Sequence, residues 1–252
     1  MKTSADLRGH LKAGRTTIGS WIQLPDANVA ELLAKAGYDW ITVDLEHGRY
    51  TETSLPDIFR AIRCGGALPF ARLGEVTAYR IKAALDAGAE GLILPMIQSA
   101  AELRQAISWA HYPPTGTRGV GYSAANDFGR SFETYRQSTN PFIVAQIEHK
   151  DAVDNIGAIL EVEGLDAVMV GPYDLSASMN LTGKFDHPEF KQLLSRLLAA
   201  CSEKNFPAGQ HVVRPGKIHL ENAMKDGYRF IAYCTDAIFL WSAAERPAIS
   251  DK

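Results

Sequence analysis

The chain is poor in cysteine. Its 252 residues hold three, Cys64, Cys201 and Cys234, with wide spacing and no C-x-x-C pair. An odd, scattered set excludes a secreted disulfide framework and predicts reduced thiols, each read as a small buried hydrophobe. Long apolar runs are missing too. No uncharged stretch approaches the ~18 residues of a membrane-spanning helix. The opening MKTSADLRGHLKAG lacks the apolar core of a signal peptide. A soluble, cytoplasmic protein is expected. There is no basic surplus: 26 basic residues against 29 acidic give a net charge of −3. That disfavours a nucleic-acid partner. No G-x-G-x-x-G follows the first strand and no Walker A sequence occurs, so neither common nucleotide signature is present.

What is there is an ordinary globular composition, 46% hydrophobic and 22% charged. Short β-rich runs alternate with helical segments. Strands are expected at 17–23, 39–44, 68–73, 90–94, 141–147, 165–170, 207–211 and 229–233. Helices are expected at 28–35, 77–87, 100–110, 151–160, 188–204 and 217–225. Several strands are near-continuous apolar runs, such as WITVD and LDAVMVG, which suit parallel strands covered on both faces. Helices before the second, fourth and eighth strands stop at Gly37, Gly88 and Gly227, each just ahead of a strand. Eight such units over this length predict a single α/β domain, residues 1–252, folded as a (β/α)8 TIM barrel. An open doubly wound sheet is the alternative. The connection 111–140, Gly- and Pro-rich at first, is long enough to suggest function.

Barrel active sites sit at the C-terminal ends of the strands. The polar residues expected there are Asp44, Glu46 and His47 after the second strand and Arg72 at the third. Gln146 and Glu148 stand on one face at the fifth, Tyr173 and Asp174 after the sixth, and Gln210 and His211 at the seventh. Glu148 and Asp174 suit a hard divalent cation, since magnesium takes one or two carboxylates. Equally, Glu148 could pair with a base and Asp174 could cap the helix that begins DLSASM. His47 suits a general base, with Asp44 placed to orient it, or a histidine satisfied within its own loop. Arg72 suits an oxyanion or an ion pair with a neighbouring carboxylate. The R-G-V-G tract at 118–121 is a weak phosphate-loop signal, and His149, His187 and His211 read as structural or peripheral.

These residues, with the tracts around them, resemble the HpcH/HpaI family of metal-dependent class II pyruvate aldolases. The tracts are GSWIQLPDANVAELLAKAGYDWITVDLEHG, FARLGE, ALDAGAEGLILPMIQSAAE, YPPTGTRGVG, AQIEHKDAVDNI and VEGLDAVMVGPYDLSASMNLTG, spread over nearly the whole chain. The resemblance implies a barrel of the phosphoenolpyruvate/pyruvate superfamily, in which the last helix is swapped between partners. It implies reversible retro-aldol cleavage of a 4-hydroxy-2-oxo acid, of 2-keto-3-deoxy sugar-acid type, to pyruvate and an aldehyde. A divalent metal, Mg²⁺, Mn²⁺ or Co²⁺, would be held by Glu148 and Asp174. His47 would be the base with Asp44 beside it, Arg72 the enolate-stabilising residue, and Gln146 and the Tyr173–Asp174 backbone the pyruvate contacts.

Asp86 in ALDAG matches an aspartate that raises the basicity of a neighbouring subunit's histidine; by its own sequence context it reads as a helix-surface charge. A homo-oligomer, a hexamer built as a trimer of dimers, is implied. The tail from Asp236, with Ile238, Phe239, Leu240 and Trp241, suits burial against a partner or on its own barrel. No lysine falls at an expected strand end, in keeping with chemistry that needs no Schiff base. Tyr173 stands where many members carry a small residue, and 121–130 is the loop expected to face the aldehyde half. A CoA-thioester lyase and a macrophomate-synthase-like decarboxylase with carbon–carbon bond formation are the competing enzyme readings. A metal-binding sensor would leave His47 and Arg72 unexplained.

Overall fold

A computed structural model describes residues 3–244 and 246. Eight parallel strands close on themselves: β1 (Thr17–Ile22), β2 (Trp40–Asp44), β3 (Leu68–Arg72), β4 (Gly91–Leu94), β5 (Phe142–Ile147), β6 (Ala167–Val170), β7 (Ala208–Val212) and β8 (Phe230–Thr235). β1 pairs with both β2 and β8, which closes the barrel. The expected (β/α)8 barrel is observed and the open sheet is excluded. All eight expected strands are present, displaced by a residue or two at their ends.

Strand alternation sorts the side chains into two cores. Outward residues such as Ile41, Val43, Leu92, Ile143 and Val168 pack under the helices. Inward residues fill the barrel itself, with Trp40, Phe70, Phe142 and Phe230 at its centre. Trp40 stacks on Phe230 at 4.3 Å between ring centroids, and Phe142 on Phe230 at 5.6 Å. Two glycines make room for these rings. A Cβ on Gly19 would fall 2.0 Å from the Trp40 ring, and one on Gly91 2.3 Å from Phe70. These rings pack the interior beneath the mouth.

Helix Ser4–Lys12 precedes the first strand and is not marked by the sequence pattern. Its only large apolar residues are Leu7 and Leu11, too few to show a period, yet both are fully buried against the interior aromatics. A capping box between Thr3 and Asp6 starts it. Helix Leu55–Gly65 adds to the expected set, and its buried Leu55, Ile58, Phe59 and Ile62 follow a helical period. The expected helix 151–160 is two short helices, Lys150–Asp154 and Ile156–Ile159. The connection 111–140 contains a 3₁₀ segment, Ala124–Gly129, and a helix, Phe132–Ser138. Cys201 and Cys234 are buried as expected, but Cys64 is exposed. Among the described residues, no helix is long and apolar enough to cross a membrane.

The last helix, Asp236–Ala243, is anchored by its first turn. The Asp236 carboxylate accepts from the Gln23 and Leu24 backbone N–H groups at 2.9 Å each. Leu240 and Trp241 stand out, 62% and 79% exposed in the single chain. Beyond residue 244 the expected tail, apart from Arg246, lies outside the described residues.

Candidate active site

The mouth formed by the C-terminal strand ends gathers most of the expected residues. Asp44, at the end of β2, is fully buried and its carboxylate is saturated. Arg72 donates to it twice, from Nε at 3.0 Å and Nη2 at 2.8 Å. Gln23 Nε2 donates at 2.9 Å, and the backbone N–H groups of Glu46 and His47 at 3.1 Å each. Burial works against its charge, but the hydrogen bonds and charge of Arg72, with help from Gln23, outweigh it and hold the carboxyl below its ordinary range. Asp44 therefore acts on the His47 backbone and fixes the loop. The expected orienting contact with the imidazole is not what its bonds show.

Arg72 is the hub of this group. Besides Asp44 it pairs with Glu46, Nη1 to Oε2 at 2.8 Å, and its guanidinium lies 4.4 Å over the Trp21 ring. The ion-pair reading of Arg72 is thus fulfilled, and it pre-organises the guanidinium at the mouth. His47 is exposed, and its imidazole makes no hydrogen bond among the described residues.

Glu148 is the most unusual group. It is 3% exposed. Its carboxylate accepts from Gln146 Nε2 at 2.7 Å and from the Met96 backbone N–H at 3.1 Å. Met96 reaches that position with a left-handed backbone, φ 54°, which a side chain rarely adopts. Burial pushes the Glu148 carboxyl up to about 7; the Met96 N–H opposes this, while the Glu46 and Asp174 carboxylates reinforce it. Gly171, just past β6, gives the carboxylate its space: a Cβ there would lie 2.3 Å from Glu148 Oε1. Gly171→Ala should displace Glu148 by overpacking, at about 1–3 kcal/mol, and lower turnover about 10²-fold. Steady-state rates and a thermal melt check this, and unchanged turnover would show that the carboxylate position is not critical.

Asp174 lies in the first turn of helix Pro172–Ala177, whose N-cap is Gly171. The capping reading fails, because the helix starts two residues earlier than expected. Its exposed carboxylate accepts no hydrogen bond among the described residues and lies close enough to Glu148 to raise it. Two oxygen anions, one buried and neither salt-bridged to a base, form a donor set that fits a hard divalent cation. Among the described residues, no cluster of three His, Cys, Asp or Glu is placed to hold a metal. Tyr173 is 60% exposed and rests edge-on against Phe185 at 5.0 Å.

Two expectations move to the other end of the barrel. Asp86 sits in the last turn of helix Ala78–Ala87, and such helices run away from the mouth. It pairs with Arg118 at 2.6 Å and Lys82 at 3.2 Å. Arg118, from the R-G-V-G tract, is buried and lies 4.6 Å over the Tyr112 ring, so that tract is a clamp rather than a phosphate loop. Loop 121–130 likewise joins a helix end to a strand start, which places it at the N-terminal end by topology. Ala124, Asp127 and Phe128 line a cavity of about 830 Å³ there with Arg8 and Pro141. Within one chain, neither Asp86 nor this loop faces the mouth. A smaller cavity, about 420 Å³, opens beside Glu46 and Met96 against Val76, Ile97 and Trp109.

A family model described as HpcH/HpaI aldolase/citrate lyase matches residues 17–243. The chain belongs to the HpcH/HpaI family. Among relatives, a 2-keto-3-deoxy-L-rhamnonate aldolase of Salmonella gallinarum is 35% identical over 239 residues, 93% of this chain and 88% of that protein. An HpcH/HpaI aldolase from Desulfitobacterium hafniense superposes with a TM-score of 0.85 at 31% identity, covering 94% of this chain and 92% of that one. A family member from Burkholderia cenocepacia gives 0.88 at 30% identity, with 94% and 95% covered. The family and the lyase class suggested by the motifs are thereby borne out. Within this HpcH/HpaI barrel, Gln23, Trp21, Met96 and Gly171 are site residues that the motifs do not single out.

His211 also belongs to the mouth rather than the periphery. Its ring stacks on Trp21 at 4.7 Å, and Nε2 contacts the Cys234 carbonyl at 3.1 Å. Burial, with the Arg72 charge beside it, pushes its pKa down to about 4 from 6.5. A histidine buried neutral favours the fold above its ordinary pKa. Its contribution is lost as pH falls from 6.5 towards 4, because the unfolded chain takes up the proton first. The loss should reach about 3 kcal/mol. Urea titrations at pH 7 and pH 4.5 should show it in the wild type and a flatter profile in His211→Gln. Equal slopes in both would exclude His211 as the cause.

Proposed function

We propose that the chain is a divalent-metal-dependent carbon–carbon lyase. It cleaves a 4-hydroxy-2-oxo acid of the 2-keto-3-deoxy sugar-acid class, the class named for its Salmonella relative, to pyruvate and an aldehyde. The observation that carries this reading is the buried Glu148 beside Asp174, two carboxylates without a salt bridge on the same mouth as Arg72. Glu148 and Asp174 would hold Mg²⁺, Mn²⁺ or Co²⁺. When bound, such a cation supplies Lewis-acid stabilisation of negative charge on the 2-oxo acid's oxygens.

The protein residues divide the remaining work. His47, exposed at the mouth, takes the proton of the 4-hydroxyl directly or through a water. The C3–C4 bond then breaks, its electron pair passes to the three-carbon fragment, and the aldehyde leaves. Arg72, locked by Asp44 and Glu46, presents fixed positive charge where the enolate oxygen develops. A proton delivered to C3 gives pyruvate. Gln146 and the backbone at Tyr173–Asp174 would position the pyruvate half. Asp86 would act on His47 only from another copy, in keeping with a homo-oligomeric trimer of dimers. The exposed Leu240 and Trp241 fit burial in such an assembly.

The test is pyruvate release coupled to lactate dehydrogenase, with chelator-stripped protein and 4-hydroxy-2-oxo acids of several lengths. Release that requires added Mg²⁺, Mn²⁺ or Co²⁺ is expected. Release indifferent to chelator would overturn the metal assignment. Carbon dioxide released from an oxaloacetate-type acid, with no aldol cleavage, would favour the decarboxylase instead.

A further inference from the structure

The mouth holds polar atoms that the proposed mechanism does not use. His211 lies on β7, in alternation with Gly209, whose missing Cβ faces Phe230 of the barrel interior. Its side chain therefore points into the barrel, and its stack on Trp21 confirms the direction. The Nε2 contact with Cys234 is to a carbonyl, which carries no proton. Nε2 must therefore be the N–H. In the neutral ring that leaves Nδ1 as a bare acceptor. Burial keeps the ring neutral at physiological pH, so Nδ1 stays an acceptor.

Beside it, Trp21 Nε1 is a buried donor without a partner. Thr42 Oγ1 is also buried and unpaired on an interior position of β2. Buried polar atoms left unpaired cost about 1–3 kcal/mol each, so an occupant that pairs them is favoured. A neighbouring acceptor and donor are together complementary to a hydroxyl, which donates once and accepts as well.

We infer that His211, with the Trp21 N–H beside it, is a specificity-determining site for a hydroxyl on the aldehyde half of the substrate. This rests on the lyase reading above. It commits the enzyme to hydroxylated aldehydes over their deoxy analogues. A site built to hydrogen-bond a hydroxyl rejects the analogue that lacks it, because its own buried groups are then left unpaired.

Two variants separate recognition from structure. In His211→Gln the side-chain amide can still donate to Cys234 from the ε position but offers no acceptor at the δ position. In His211→Asn the acceptor at the δ position is kept and the Cys234 bond is lost. The readout is the ratio of kcat/KM for 2-hydroxypropanal to that for propanal, each condensed with pyruvate. His211→Gln should lower this ratio about tenfold or more while melting near the wild type. His211→Asn should keep most of the ratio while melting lower. An unchanged ratio in His211→Gln, or an equal loss in both variants, would overturn the inference. Pyruvate methyl-proton exchange in D₂O by the wild type tests the underlying lyase reading separately. If the wild type fails to exchange, the lyase reading falls; if it exchanges and the ratio stays flat, only the hydroxyl site falls.

Discussion

Glu148→Gln should lose metal-dependent turnover about 10³-fold, because a cation's charge stabilisation is worth several kcal/mol and each 1.4 kcal/mol is tenfold. The same change should stabilise the cation-free fold above pH 7. In the wild type the folded carboxyl is held up near 7, against an ordinary 4.5. Below pH 4.5 both states are protonated and nothing is lost. As pH rises towards 7 the unfolded chain ionises first, and the folded state forfeits about 3 kcal/mol by pH 8. Glutamine does not ionise and escapes that loss. Gln146 has a free Oε1 and can turn its amide to meet the new side chain.

Thermal melts at pH 8 should therefore reverse order. Without cation, Glu148→Gln melts above the wild type. With Mn²⁺ the wild type rises and the variant does not. Full turnover in the variant, or an equal Mn²⁺ shift, would remove Glu148 from the ligand set.

Arg72→Ala should cost about 3–5 kcal/mol of stability as well as activity, because it strands an ionised Asp44 in the barrel. Asp44 is fully buried and depends on the paired hydrogen bonds from Arg72. A loss of turnover in this variant is therefore ambiguous by itself. The double variant Arg72→Met with Asp44→Asn removes both charges and should recover most of the stability in urea titrations. Its turnover should stay at least 10²-fold down, since no fixed charge faces the developing enolate. Recovery of turnover along with stability would reduce Arg72 to a structural ion pair.

The barrel was legible because its signals are local. Eight strand-like runs, several of them apolar like WITVD and three preceded by a glycine helix stop such as Gly88, come in the order a parallel barrel needs. Helix Ser4–Lys12 was hidden because two leucines make no period, and only the barrel floor shows why they are buried. The strand-end rule placed Arg72, Gln146 and Glu148 at the mouth from sequence position alone. It could not show that Met96 bonds Glu148 across 52 residues, or that Gly171 clears its space.

The sequence by itself determined the strand count, the strand faces and the family, since each is written in periodicity and short motifs. Tertiary structure decided how the charges are shared. Asp44 is committed to Arg72, Glu148 is left without a base, and His211 is turned inward onto Trp21. Those outcomes depend on burial and on which strands meet across the barrel. The same is true of Asp86 and loop 121–130: a chain that reverses at every helix end sends them away from the mouth, whatever their motifs suggest.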